Sequence, residues 1–208
     1  MSSSIQSSDN NLDKFFTTDP KAFAMEYLNY LQSILSTIDT NEVSQFIKEL
    51  LDAREKKSTV FFIGNGGSAA TASHFANDLA FGTNDYENPF RVISLTDNTP
   101  VVTALANDYG YDEIFIRQLR VYAKQGDVLV GISASGNSPN MVNAFNYASK
   151  SGIKTIAITA FDGGEMKRIA DNSIHVPTEK GEYGPAEDVH MVLDHLVSTY
   201  LMRLIKNV

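Results

Sequence analysis

Five short apolar runs, separated by segments of helical spacing, constrain the fold of this chain more than any other feature. The runs are rich in β-branched residues, are bounded by Gly, Asn or Asp, and occupy residues 59–63, 91–95, 127–132, 154–158 and 172–176. Near-continuous apolar runs of this length are typical of strands buried on both faces. The helical segments that alternate with them lie near residues 67–81, 99–124, 138–150 and 163–170. This alternation predicts an α/β fold, a three-layer sandwich in which helices flank a five-stranded parallel sheet.

Further helices are predicted at both ends of this core. Apolar residues recur at helical spacing over residues 20–38, and a second helix is expected to begin at Thr40 or Asn41, both of which are suitable N-caps. A long last helix is predicted over residues 185–205. The sequence therefore predicts N-terminal helices before the sheet and a long C-terminal helix after it.

Composition narrows the class of protein. Residues 1–19 are rich in Ser, Asn and Asp and are predicted to be flexible, and residues 20–208 are predicted to form a single domain. The net charge of −8 argues against a nucleic-acid partner, which needs clustered Lys and Arg, and the lack of cysteine excludes a disulfide scaffold and a thiol nucleophile. The sequence shows no signal peptide and no stretch near the ~20 apolar residues of a membrane helix. We expect a cytoplasmic protein with no nucleic-acid or membrane partner.

Two loops of small residues follow the first and third predicted strands. Residues 64–68 read Gly-Asn-Gly-Gly-Ser, and residues 133–138 read Ser-Ala-Ser-Gly-Asn-Ser; each leads into a helix. Ligands of open parallel sheets bind where the strands end, and phosphate binds to backbone N–H groups at a helix N-terminus. Either loop alone is equally well explained as a turn with a helix cap. Together they predict a phosphate or sugar-phosphate site; neither has the lysine of a nucleotide-binding P-loop.

Titratable residues on two helices are candidates for chemistry. His74 and Asp78 are one helical turn apart, and such a pair can bind a metal, act as acid and base, or form an ordinary surface contact. Glu187 and His195 lie on a side of the last helix away from its apolar stripe. That stripe consists of Val189, Val192, Leu193, Leu196, Val197, Tyr200 and Leu204. A further i,i+4 pair, interpreted as structural or as support for the site, is His190 and Asp194.

The order of these motifs resembles a known family. The first loop with His74 after it, the Asn-Asp-Tyr-Gly at residues 107–110 and the serine loop at residues 132–138 resemble the sugar isomerase (SIS) domain family, and within it the phosphoheptose isomerase branch. The resemblance covers roughly residues 20–205. It implies a flavodoxin-like SIS fold and a homotetramer with sites at subunit interfaces.

The resemblance also implies a reaction and a substrate site. The expected activity is the aldose–ketose isomerisation of sedoheptulose 7-phosphate to D-glycero-D-manno-heptose 7-phosphate through an enediol(ate), the first step of nucleotide-activated heptose biosynthesis. The residues expected to contact the substrate are Asn65, Gly66, Gly67, Ser68, Asn107, Asp108, Ser133, Ala134, Ser135 and Ser138.

The resemblance places a divalent metal, usually zinc, on the two helices that carry the titratable residues. The implied ligands are His74, Asp78, Glu187 and His195; Asp78 or Glu187 is the expected base, and His195 the partner acid/base. Glu187 and His195 are far apart for two ligands of one ion, because the eight helical residues from one to the other span ~12 Å, so their side chains would have to converge.

Four features depart from the family pattern. Asp78 replaces a Glu, Glu187 replaces a Gln, Ala134 replaces a Thr, and the loop of residues 179–184 is atypical. Asp is one methylene shorter than Glu, and catalysis is sensitive to displacements of ~1 Å. The two carboxylates could compensate each other. The alternatives are an isomerase of another phosphorylated ketose, and a non-catalytic SIS regulator that binds a protein such as a replication initiator.

Overall fold

The predicted five-stranded parallel sheet is confirmed. The computed structural model describes residues 10–206 and has strands β1 (Thr59–Gly64), β2 (Arg91–Ser94), β3 (Val128–Ser133), β4 (Lys154–Thr159) and β5 (Asn172–His175). All neighbouring strands are parallel, in the order β2-β1-β3-β4-β5. The direction of the strand order reverses between β1 and β3, so the loops that follow these two strands lie side by side at the carboxyl end of the sheet.

Helices cover both faces of the sheet. They are α1 (Asn11–Phe15), α2 (Pro20–Leu35), α3 (Thr40–Glu55), α4 (Gly67–Asn77), α5 (Thr99–Tyr109), α6 (Ile114–Tyr122), α7 (Pro139–Lys150), α8 (Gly164–Ile169) and α9 (Tyr183–Lys206). Because strand side chains alternate between faces, Val60 and Phe62 pack with α3, α4 and α9, whereas Phe61 and Ile63 pack with α6, α7 and α8. The result is the three-layer sandwich that the sequence predicts.

Two predicted helices are interrupted. The helix expected over residues 99–124 is divided into α5, a 3₁₀ turn (Tyr111–Glu113) and α6, because Gly110 ends α5 with a φ of 95° that few other residues adopt. The helix expected over residues 67–81 leaves α-helical geometry at Asp78, where a π-helical turn (Asp78–Gly82) begins. Such turns often occur at functional sites.

The N-terminal segment is held to the rest of the chain. Within the range predicted to be flexible, residues 1–9 lie outside the described residues, and α1 follows them with Asn10 as its N-cap. The buried Glu182 carboxylate accepts hydrogen bonds from the Asn11 backbone N–H and the Tyr30 hydroxyl. The second half of residues 1–19 therefore contains ordered structure.

The apolar stripe predicted on the last helix is only partly buried. Val189, Leu193 and Val197 lie in the core, but Val192 and Leu196 are 38% and 48% exposed. With Leu35, Ile47 and other residues of α2 and α3, the exposed pair lines an apolar groove. None of the helices in the described range is long and apolar enough to cross a membrane.

Candidate active site

The two loops of small residues meet at a cavity of about 140 Å³. Gly64 of β1 is paired with Ile132 of β3, so both loops leave the sheet at the same level. The residues that line the cavity are Asn65, Ser68, Ile132, Ser133, Ala134, Ser135, Ser138, Tyr183 and Glu187. Six of the ten residues that the family resemblance assigns to substrate, together with Glu187, therefore surround one space.

The glycines of the first loop let a carboxylate approach the backbone. Gly66 precedes α4 with a φ of 54°, and a Cβ built on Gly67 would lie 2.1 Å from Oε2 of Glu187. Any side chain at Gly67 would therefore displace Glu187 or the loop. The two glycines are themselves exposed and form the rim beside the cavity.

The serine loop has the geometry of an anion site. The Gly136 N–H donates to Ser133 Oγ at 3.1 Å, which folds the loop back on itself. Ser138 is the N-cap of α7 but makes no capping hydrogen bond with its side chain. Pro139, the first residue of α7, has no N–H, and the Met141 N–H donates to the Ser138 carbonyl. The Ser138 hydroxyl and the Asn140 N–H are therefore suited to hold a phosphate, which the helix dipole also favours.

Asn65 is fixed by two residues that the sequence analysis missed. Its Oδ1 accepts hydrogen bonds from Asn140 Nδ2 and from the Tyr111 hydroxyl, both at 2.9 Å. Asn140 is buried at the start of α7, and Tyr111 follows the break at Gly110. The sequence signal for Tyr111 is its place directly after the Asn-Asp-Tyr-Gly motif; Asn140 has no comparable signal.

Asn107 and Asp108 lie apart from the cavity in the single chain. They occupy the exposed end of α5, where Asn107 Nδ2 donates to Asp108 Oδ1 at 2.8 Å. Neither lines the cavity. Their expected contact with the sugar stays a prediction.

A separate cluster of titratable side chains lies where α4 packs against α9. One potential ligand atom from each of His74, Asp78, Asp194 and His195 lies within 4.8 Å of the others. His74 Nε2 is 3.9 Å from Asp78 Oδ1, and the His74 and His195 rings are 5.0 Å apart. Three of the four expected metal ligands are thus brought together. The cluster also contains Asp194, which the sequence analysis interpreted only as structural or supporting, whereas Glu187 lies outside it.

Burial raises the pKa of one carboxyl group in the cluster and of another at the cavity. The Asp194 side chain is fully buried, and its burial, followed by the charge of Asp78, raises the pKa of Asp194 while the nearby His74 lowers it. Burial, with a smaller contribution from Asp188, also raises the pKa of Glu187. A raised pKa favours a carboxyl group that both accepts and returns a proton.

The cluster fits a divalent cation by its chemistry. It offers imidazole nitrogens and carboxylate oxygens, which bind Zn²⁺ and also Mn²⁺, Fe²⁺ and Ni²⁺. The buried Asp194 carboxylate has a close polar partner in His74, whose Nδ1 lies 2.9 Å from Oδ2, and it also lies near the carboxylate of Asp78. Two carboxylates buried close together are costly unless a cation compensates their charge. The structure thus contains a potential metal-binding His/Asp cluster.

The sequence also matches a known family over most of the sheet. Residues 26–160 match the SIS domain family. The chain belongs to the SIS domain family. This SIS protein is 35% identical over 178 residues to a phosphoheptose isomerase from Aliarcobacter butzleri, covering 85% of this chain and 93% of that one. It is 42% identical over 145 residues to a phosphoheptose isomerase from Sulfurimonas denitrificans, covering 69% and 72%.

Solved structures agree with the SIS fold. A phosphoheptose isomerase from Neisseria gonorrhoeae superposes with a TM-score of 0.76 at 30% identity, covering 87% of this chain and 95% of that one. A phosphoheptose isomerase from Francisella tularensis superposes with a TM-score of 0.77 at 24% identity, covering 90% and 100%, which bears on the fold alone. The family resemblance stated from the motifs is therefore confirmed.

Proposed function

We propose that this SIS protein interconverts sedoheptulose 7-phosphate and D-glycero-D-manno-heptose 7-phosphate. The observation that carries the proposal is the shared cavity, where the serine loop faces a carboxylate, Glu187, across a space bounded by Asn65. The names of the relatives support the same substrate class. The absence of cysteine and the content of His and acidic residues suit proton transfer rather than thiol chemistry.

The phosphate binds at the serine loop and fixes the direction of the sugar chain. Ser133, Ser135 and Ser138, with backbone N–H groups of the serine loop, hold the phosphate, and the sugar extends towards Asn65 and Glu187. Because backbone dipoles and hydroxyls carry this contact, the net charge of −8 is no obstacle to an anionic substrate. Tyr111 and Asn140 hold Asn65 in place.

The isomerisation moves one proton between C1 and C2 and another between their oxygens. Glu187 or Asp78 removes the proton from the carbon beside the carbonyl and returns it to the neighbouring carbon; Glu187 is favoured because it lines the cavity. His195 is the partner that exchanges the oxygen-bound proton. A divalent metal, most simply zinc, would be held by the cluster that contains His74, Asp78 and His195, and would supply Lewis-acid stabilisation of negative charge on an oxygen of the bound sugar.

The site is proposed to be completed by a second copy of the chain. Asn107 and Asp108 are exposed and do not line the cavity, and the cavity is small for a seven-carbon sugar phosphate. The apolar groove with the exposed Val192 and Leu196 gives the chain a surface for association. We propose a homotetramer that works in the cytoplasm.

Turnover of a defined substrate tests the proposal. Purified protein is incubated with sedoheptulose 7-phosphate, without metal and with Zn²⁺, Mn²⁺, Fe²⁺ or Ni²⁺, and the aldose product is quantified. A panel of other ketose phosphates is run in parallel. Faster turnover of another ketose phosphate would indicate that this sugar, and not sedoheptulose 7-phosphate, is the substrate. Folded protein that converts none of them, yet is stabilised against heat by a sugar phosphate, would indicate a regulator instead.

A further inference from the structure

We infer that Asp194 is the fourth metal ligand of this chain, and that Glu187 belongs to the sugar cavity instead. The inference deepens the proposed function, because it divides two carboxylates between metal binding and proton transfer. Metal binding can be measured without substrate. Failure of this assignment is therefore distinguishable from failure of the proposed reaction.

The positions of the side chains along α9 separate the two carboxylates. Asp194 is the immediate neighbour of His195, and its Oδ2 lies 2.9 Å from His74 Nδ1. Glu187 lies eight residues before His195, about 12 Å along a helix axis. Its carboxylate instead covers Gly67 and lines the cavity with Ser68.

The burial of Asp194 provides an independent argument. Its side chain has no exposed surface, and its close polar partner is His74, whose Nδ1 lies 2.9 Å from Oδ2. The other acidic member, Asp78, accepts a weak hydrogen bond from Ser198 at 3.4 Å. A second carboxylate placed in this pocket is unfavourable in the absence of a cation, because two like charges then lie close together away from water.

The charges of the cluster match a divalent ion. When they bind a metal, two carboxylates and two imidazoles contribute a net charge of −2, because ligand groups are then deprotonated, and an ion of charge +2 neutralises it. The ligands come in two sets, His74 of α4 with Asp78 at the start of the π-helical turn that follows it, and Asp194 with His195 at adjacent positions of α9. An ion at this place would join the two helices where they pack.

Cobalt binding to the full chain tests the assignment. Metal-free wild-type protein is titrated with Co²⁺, and the affinity, the stoichiometry and the visible absorption spectrum are recorded for wild type, Asp194→Asn and Glu187→Gln. Both substitutions are nearly isosteric and remove one carboxylate each. We expect Asp194→Asn to weaken Co²⁺ binding by at least about 100-fold and to change the spectrum, since loss of a supporting contact alone costs about 10- to 100-fold. Glu187→Gln is expected to keep the affinity and the spectrum while it lowers turnover.

Thermal unfolding distinguishes a ligand from a structural residue. Without metal, Asp194→Asn is expected to unfold near the wild-type temperature, because the variant removes the repulsion between two close carboxylates while it weakens the contact with His74. Its stabilisation by added metal is expected to be lost. The assignment is overturned if Asp194→Asn binds Co²⁺ with the wild-type spectrum, if Glu187→Gln weakens Co²⁺ binding, or if the wild type binds no metal.

Discussion

Glu187 lies directly over Gly67, so close that a Cβ on the glycine would be 2.1 Å from the carboxylate Oε2. This contact links the first residue of α4 to the first turns of α9. It sets the position of a carboxylate with a raised pKa at the cavity that also contains the serine loop. The addition of a single methyl group at Gly67 therefore tests the importance of this close contact directly.

Gly67→Ala is expected to lower kcat/KM by about 10- to 100-fold, because a displacement near 1 Å at a reacting group has an effect of this size. The variant should fold, since Ala is favoured over Gly in a helix by about 1 kcal/mol. Steady-state kinetics with the ketose phosphate measures the effect. In the Glu187→Gln variant, Gly67→Ala should lower kcat/KM much less than it does in the wild type. If the two substitutions lower kcat/KM independently, so that their free-energy effects add fully, the contact is contradicted.

Tyr111→Phe is expected to reduce kcat/KM by about 5-fold, because one hydrogen bond to Asn65, worth about 1 kcal/mol, is removed. Tyr111 is exposed, so the free energy of unfolding should change little. Tyr122→Phe is the matched control, as Tyr122 is equally exposed but lies at the end of α6 that leads towards the start of β3. Equal kinetics for both variants would argue against a role for Tyr111 in holding Asn65.

Ser138→Ala is expected to raise KM by about 10-fold or more while kcat changes less, because a hydrogen bond to a charged group is worth about 1.5–3 kcal/mol. The hydroxyl makes no capping bond to α7, so the loss should not come from the helix. Inhibition by inorganic phosphate provides a second measurement and should weaken in parallel. An unchanged inhibition constant would place the phosphate elsewhere.

Acid should destabilise the protein through His190. Burial lowers the pKa of this histidine to about 4, whereas the unfolded chain has an ordinary value near 6.5. The unfolded state therefore binds the proton more readily, and the stability that is present above pH 6.5 is lost as the pH falls towards 4. Between pH 6.5 and 5 the contribution of His190 to the free energy of unfolding is expected to fall by about 1.6 kcal/mol, measured as the difference between wild type and a non-titrating variant because the raised pKa of Asp194 acts in the opposite direction.

Urea denaturation at several pH values, with a chelator present so that metal release does not contribute, measures this loss. The comparison variant is His190→Asn, which keeps a polar side chain but does not titrate. Its stability at pH 7 is expected to be lower because a buried contact is changed, yet its decline between pH 6.5 and 5 should be smaller. If the free energy of unfolding declines with pH equally in wild type and variant, His190 is not the source of the acid sensitivity.

Local patterns in the sequence determined most of the fold, the meeting of the two loops at the cavity, and the pairing of His74 with Asp78. Apolar runs and helical spacing predicted the strands and the order of the elements, because burial of a strand on both faces imposes that pattern on its residues. The rule that ligands bind where strands end predicted the meeting of Asn65 with Ser133 and Ser135. The i,i+4 spacing of His74 and Asp78 likewise predicted a pair that the structure contains.

The tertiary structure alone decided which face of the last helix meets α4. Successive helical residues point about 100° apart, so a modest rotation of α9 exchanges one candidate for another. The packing of α9 against α4 places Asp194 beside His74, leaves Glu187 over Gly67, and exposes Val192 and Leu196 that the pattern assigned to the core. Such a rotation follows from the fit of side chains between two helices, which involves residues more than a hundred positions apart, and no local pattern records it.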